Sequence, residues 1–408
     1  MIRRFQPIAA RPVSRTTLPS ELGLSARAEE IASTLPVSQI AAERRQFFAQ
    51  THAGGLFPNE AWRRCIRHHV HQTETSAAVP GGHLRLRQAI ADFLWGYRGV
   101  RADLDQIIVT SGVTQALDQC ARLLVDAGDR VAMESPSPPN FRSIFRFAGA
   151  HIVPLDVGDA GIDRSVLSHQ GADLRAILVT PANQNPLGHA FPDADRLELL
   201  DVSSRHRVWI IEYDRGEYLG LRRPLYAQTQ ESGVGHVVLV GSFAHILSQN
   251  LGIGFIVAPT AIASAFRHAR YVMDLHPPMF IQQALAQFIE DGQLNRHLDR
   301  IRKLYRRRFR ELHRSVEETL GAHLRPLPHD AVLRLATLAR HNIDDVQISR
   351  AAGEVGVQLE PLSQYYFGSR TAKGFLLGYG AGGEASMRIA LRKLEPFFPR
   401  GFQDCRIV

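Results

Sequence analysis

The sequence predicts an α/β fold: a large, doubly wound, mostly parallel sheet with helices on both faces, then a smaller C-terminal α+β portion. Three observations predict it. From about Ala61 onward, short apolar runs alternate with segments of helical period, and such alternation needs crossover connections, hence parallel strands buried on both faces. The chain has 408 residues, enough for one large domain and a smaller one. A long basic helix from about Leu294 to Leu320 leads from the alternating region to a strand-and-helix stretch over residues 322–396.

In chain order, residues 1–50 are weakly organised, with helices expected over Ala26–Thr34 and Gln39–Gln50. Leu84–Tyr97 reads as a helix and Gln106–Thr110 as a short buried strand. Ser111-Gly112 then turns the chain into a helix over Thr114–Leu124. The strand Arg130–Glu134 is followed by a proline-rich turn, SPSPPN, and a helix through Phe147. Strands follow at His151–Leu155 and Ala176–Thr180, a helix at Asp193–His206, and strands at Val208–Ile211, Val237–Val240 and Gly254–Val257. The expected division is an N-terminal extension over residues 1–50, a large domain over 51–290 and a small domain over 291–408.

Composition bounds the function. The apolar fraction of 45% and charged fraction of 22% are those of an ordinary soluble protein. There is no apolar run of about eighteen residues, so no membrane span is expected. Arg3 and Arg4 have no apolar core behind them, which argues against a signal peptide. Cys65, Cys120 and Cys405 are too few and scattered for a disulfide framework or zinc site, so a cytoplasmic location is expected. Much of the +8 charge sits in RIRKLYRRRFRELHR, where Ile301, Leu304, Tyr305, Phe309 and Leu312 recur at helical spacing, and a solvated basic face is the simplest reading. No helix-turn-helix, RNA-binding or finger pattern stands out, so no nucleic-acid partner is expected. A small-molecule substrate, anionic to suit the basic balance, fits better. His68, His69 and His71 form a local cluster with Glu74 nearby, read as surface histidines rather than a metal site. Gly81-Gly82 and Gly252-x-Gly254 lack dinucleotide-fingerprint spacing, and no Gly-x-Ser-x-Gly elbow is present.

Six stretches carry a resemblance. They are LFPNEAW at Leu56–Trp62, PGGHLRLRQAIADFLWGYRGV at Pro80–Val100, IIVTSGVTQALDQ at Ile107–Gln119, VTPANQNPLG at Val179–Gly188, GQLNRHLDRIRKLYRRR at Gly292–Arg308 and GFLLGYG at Gly374–Gly380. In this order they resemble fold type I pyridoxal-phosphate enzymes, and most of all the aminotransferase-like domain of the MocR regulators without their DNA-binding head. The resemblance implies a seven-stranded sheet, a small C-terminal domain and a homodimer with the pocket at its interface.

Pyridoxal phosphate needs an amine, an acid for its ring nitrogen and a grip on its phosphate. The resemblance places His245 of Ser242-Phe243-Ala244-His245 where the Schiff-base lysine stands, and imidazole cannot form that bond. It places Gly252 at the phosphate-binding arginine and Ala77 at the tyrosine that reaches the phosphate from the other subunit. Gly112, Val113 and Thr114, with helix N-terminal amides, and Ser242 retain part of the phosphate grip. In Ile210-Ile211-Glu212-Tyr213-Asp214-Arg215, a gapless alignment puts Tyr213 on the acidic position, whereas a one-residue shift puts Asp214 there. Asn185 would contact the ring hydroxyl; its other role is to stabilise its own turn. The late strand Gly374–Tyr379 carries an apolar residue where the resemblance implies a substrate-binding arginine, with Arg388 further along.

These losses together imply an enzyme of specialised, amino-acid-derived small-molecule metabolism that has abandoned aminotransfer. His245 would serve as acid or base, near neutral pH, with Asp214, Tyr213, Arg215 or Ser242 assisting. No cofactor is firmly expected. Two alternatives stand: a catalytically silent partner of an active homologue, and a protein holding pyridoxamine or pyridoxal phosphate non-covalently with His245 as the base.

Overall fold

A computed structural model describes Ser25, Ala28, Glu29 and residues 56–70, 79–158, 161–215, 222–233, 235–330, 333–380 and 383–398. Most of the expected N-terminal helices, His71, Glu74, Ala77 and Cys405 lie outside the described residues.

The large sheet has eight strands: β1 (Ile107–Thr110), β2 (Arg130–Ser135), β3 (His151–Gly158), β4 (Gly161–Ile162), β5 (Leu174–Val179), β6 (Trp209–Asp214), β7 (Val237–Ser242) and β8 (Gly254–Val257). Their order is β1-β8-β7-β6-β5-β2-β3-β4. The run β3-β2-β5-β6-β7 is parallel, and β8 and β1 close that edge antiparallel. Seven strands were expected; the eighth, β4, is a two-residue hairpin partner of β3. β1, β7 and β8 are buried residue after residue, as strands covered on both faces must be.

Alternation along each strand feeds two apolar layers. In β6, Ile210 packs into one cluster and Ile211 with Tyr213 into the other, on the opposite face. Helices Leu84–Arg98 and Met279–Glu290 help to cover the first face, and Gly112–Leu124 and Pro139–Phe147 the second. The Asp193–His206 helix and β8 match their sequence-derived limits, whereas β3, β6 and β7 run further at their C-terminal ends and β5 begins two residues earlier and ends one residue sooner than expected.

The Gln293–Leu320 helix buries Leu294, Leu298, Ile301, Tyr305, Leu312, Val316 and Leu320. It leads to a four-stranded antiparallel sheet, in order β11-β12-β10-β9, of β9 (Leu324–Asp330), β10 (Arg334–Ala339), β11 (Glu360–Pro361) and β12 (Gly374–Gly378). No helix among the described residues is long and apolar enough to cross a membrane.

Candidate functional site

The parallel strands all deliver their C-terminal ends to one rim, where ligands bind in open α/β sheets. There a cleft of about 740 Å³ opens. One wall is the turn and helix start Ser111–Thr114, Pro138 and the Pro139–Phe147 helix that follows it, Asn185, Tyr213, Arg215 and the Ser242–Ile253 segment. Arg334, Glu360 and Tyr365, from the smaller sheet and its connections, close the other side.

Of the residues singled out from sequence, the structure brings Gly112, Val113, Thr114, Asn185, Tyr213, Ser242 and His245 to this cleft. Asp214 is not among them. Neighbouring residues of a strand face opposite ways, so with Tyr213 in the cleft Asp214 points through the sheet. Its carboxylate accepts from Arg98 Nε at 2.7 Å and Nη2 at 3.3 Å, both side chains being buried. The one-residue shift that put Asp214 on the acidic position is therefore corrected: the group facing the cleft is a phenol.

His245 is placed by Phe243, a fully buried anchor whose amide donates to Ile253 O at 3.1 Å and whose carbonyl accepts from Leu247 N at 2.9 Å. Ser242 Oγ accepts from Ala244 N at 3.0 Å. Pinned so, the half-buried imidazole presents Nε2 to Tyr213 Oη at 3.1 Å. Burial pushes the Tyr213 phenol up to about 12, with Arg215 opposing, so Tyr213 is neutral at physiological pH. Its ring meets Phe141 edge-on, centroids 5.8 Å apart.

The remaining wall is backbone-rich. Gly112 opens its helix at φ +83°, and a Cβ on Gly254 would stand 2.8 Å from the Gly112 carbonyl carbon, so the antiparallel strand and the helix start approach as only glycine allows. Gly252 has φ +60° and nothing within 4 Å of a Cβ position. The Asn185 turn hangs from Glu134, a buried carboxylate accepting from Thr180 N at 2.5 Å, Thr180 Oγ1 at 2.6 Å and Gln184 Nε2 at 3.0 Å. Burial raises the Glu134 carboxyl to about 7, against the pull of those donors and Arg215. Asn185 Oδ1 is itself buried and has no hydrogen-bond partner among the described residues.

Sequence reading missed three of the cleft's arginines, Arg142, Arg146 and Arg334, and named only Arg215, beside Tyr213. Arg142, Arg146, Arg215 and Arg334 line the cleft, and among the described residues Glu360 is its only acidic lining residue and no lysine lines it. Arg142 and Arg146 share one face of the Pro139–Phe147 helix as i and i+4, a signal available from sequence. Burial lowers Arg142 to about 10, so it stays charged at neutral pH. Arg334 donates to Tyr365 Oη at 3.4 Å, and Tyr365 donates to Glu360 at 2.7 Å. In the late strand, Leu376 packs with Leu187, Leu327, Ala336 and Leu362, and Arg388 donates to Glu384 at 3.1 Å outside the cleft.

The donor set does not fit lysine-linked pyridoxal phosphate. The chain has three lysines, Lys303, Lys373 and Lys393. All three are exposed and none lines the cleft. Tyr213 faces the cleft where a carboxylate would pair with a pyridinium, and no charged side chain stands at Gly252.

The profile described as "Aminotransferase class I and II" matches residues 50–377. The chain is 35% identical over 346 residues to a probable rhizopine catabolism regulatory protein MocR of Rhizobium meliloti, covering 84% of this chain and 70% of the relative. It is 30% identical over 344 residues to the pyridoxine biosynthesis transcriptional regulator PdxR of Corynebacterium glutamicum, covering 82% and 71%. A Thermus thermophilus 2-aminoadipate transaminase is 28% identical over 250 residues, covering 60% and 61%. An archaeal alanine:glyoxylate aminotransferase superposes with a TM-score of 0.80 at 21% identity, covering 93% and 96%. Its likeness shows the fold. Relatives named as transcriptional regulators overturn the expectation that nucleic acid is no partner. That expectation rested on the lack of a known binding module, which does not exclude contacts made by an ordinary basic surface. By the matched profile and by these relatives, the chain belongs to the class I and II aminotransferase family.

Proposed function

We propose that the cleft binds a small anionic molecule through hydrogen bonds and ion pairs alone, in a chain that has given up lysine-linked amino transfer. The carrying observation is the charge and chemistry of the lining, which among the described residues has four arginines, one acid and no lysine. The amides at Gly112–Thr114 offer a second anion-binding element at a helix N-terminus. The unpartnered Asn185 Oδ1 would accept a hydrogen bond from the ligand. A regulatory output, such as the names of MocR and PdxR state for those proteins, needs only this binding and no turnover.

The test is borohydride reduction of the full chain with added pyridoxal phosphate, followed by peptide mass mapping, beside calorimetric titration with pyridoxal phosphate, pyridoxamine phosphate and inorganic phosphate. Saturable binding without a stoichiometric covalent adduct is expected. Stoichiometric trapping on one side chain, or no binding of any of these or of a dicarboxylate, overturns the proposal.

The hydrogen bond between Tyr213 and His245 favours a second reading, in which the bound molecule is also a substrate. Here the imidazole exchanges a proton with the ligand while the neutral phenol fixes the ring orientation, roles within reach of a histidine. Loss of turnover in His245→Ala with ligand affinity kept within about threefold supports it. The proposal also takes the chain as a cytoplasmic homodimer divided near residues 50 and 290, which gel filtration and limited proteolysis examine.

A further inference from the structure

The Gln293–Leu320 helix carries an ordered stripe of cations that the cleft does not use. Arg296, Arg300, Lys303, Arg307, Arg310 and Arg314 follow one another at steps of four, three, four, three and four, and all six are exposed. At about 100° per residue they lie within an arc of roughly 80° and span about 27 Å. The buried Leu294, Leu298, Ile301, Tyr305, Leu312 and Val316 lie on the opposite side of the cylinder. The two acids within this span, Asp299 and Glu311, flank the stripe rather than interrupt it.

Several of these arginines already have contacts. Arg307 Nε stands 3.3 Å from Glu311, Arg314 Nη2 3.5 Å from Glu384, and Arg296 Nη2 donates to Asp291 O at 2.6 Å. Arg300 donates to Leu56 O. These are exposed contacts of small net worth, which charge-assisted bonds to phosphate can displace.

We infer that this ridge binds the phosphate backbone of double-stranded nucleic acid without reading its sequence. A rigid row of cations matches a polymer that carries a phosphate every few ångströms. No aromatic side chain lies in the arc, as stacking on single-stranded bases requires. The helix's apolar side is spent on the core, leaving none to enter a lipid interface.

The experiment is fluorescence anisotropy of the full chain with a mixed-sequence DNA duplex of about 30 base pairs, about three helical turns. It is run between about 50 and 200 mM salt. If all six cations engage, affinity falls about 10³-fold across that range. The reversal Lys303→Glu/Arg307→Glu/Arg310→Glu should weaken binding more than about tenfold and flatten the log–log salt slope by about three. Neutral Gln substitutions at the same positions guard against misfolding and should give a smaller loss in the same direction. Arg307→Lys/Arg310→Lys should restore binding. Equal charge removed elsewhere, by Arg101→Glu/Arg122→Glu/Arg205→Glu, should change binding less than the ridge variant does. The inference fails if the wild-type chain does not bind duplex DNA at low salt, or if the control triple loses as much as the ridge triple. It also fails if phosphatidylserine vesicles bind where DNA does not.

Discussion

The 3.1 Å contact between His245 and Tyr213 puts an imidazole and a phenol that is neutral at physiological pH in a cleft where a lysine-linked coenzyme would need an amine and an acid. Restoring the amine is therefore a direct test. His245→Lys should make the protein trappable by borohydride at residue 245 in the presence of pyridoxal phosphate, while the wild type remains untrapped. Gly252→Arg probes the neighbouring deficit. There is room for a Cβ at Gly252, but its φ of +60° costs an L-residue about 1–2 kcal/mol. A new charged donor to a phosphate is worth about 1.5–3 kcal/mol. Calorimetry should show roughly tenfold tighter phosphate-ester binding, alongside a lower Tm. At this scale the sequence was informative where an ordered motif fixes the position, as for His245, Ser242, Asn185 and Gly112. It misled at Asp214, because a one-residue slip along a strand moves a side chain to the other face. Arg142, Arg215 and Arg334 are far apart in the chain, and only tertiary structure brings them together.

At the scale of elements, buried carboxylates anchor the turns and helices that follow the strands. The Glu212 carboxylate, on the face of β6 away from the cleft, accepts from Leu225 N at 2.8 Å and Tyr226 N at 2.9 Å and so caps the Leu225–Ser232 helix. Burial raises it from an ordinary 4.5 to about 7, as it does Glu134. The sign follows: between those values the folded state binds more protons than the unfolded chain, so stability falls as pH rises through that window. The effect is on the order of 3 kcal/mol for each group. Thermal unfolding followed from about pH 5 to about pH 8 should show a falling Tm, and Glu212→Gln should flatten the slope while lowering Tm at the acid end, since an amide cannot accept both N–H groups as well. A Tm that climbs over this range counts against the argument. Gly254→Ala, whose Cβ would meet the Gly112 carbonyl carbon at 2.8 Å, should displace the helix start and weaken anion binding together with stability, by about 1–3 kcal/mol. Strand and helix order was legible from apolar alternation, but strand ends were not: Ser135, Asp214 and Ser242 extend β2, β6 and β7 beyond their apolar cores because neighbouring strands pair with them, parallel for Ser135 and Asp214 and antiparallel, from β8, for Ser242.

For the whole molecule, the cleft lies between two sheets that the chain builds separately. Asn185, Tyr213 and His245 come from the rim of the eight-stranded sheet, whereas Arg334 belongs to β10 of the four-stranded one and Glu360 to β11. An anion held by both sides links them, and anything bound only by the folded state stabilises it by mass action, about 2.7 kcal/mol at a hundredfold excess over Kd. Scanning calorimetry with a saturating phosphate ester or dicarboxylate should therefore raise Tm. Arg334→Ala should reduce the rise, since it removes the small-sheet cation. Arg142→Ala provides the second arm: it removes a cation from the large-sheet side and also the bonds from its Nη1 to Ser137 O and Tyr365 O, each 3.1 Å. If the ligand spans the cleft, both variants lose ligand-induced stabilisation by severalfold in affinity. If only Arg142→Ala loses it, the ligand sits on the large-sheet wall alone. A ligand shift untouched in both variants would show that the arginines serve the fold and not the site.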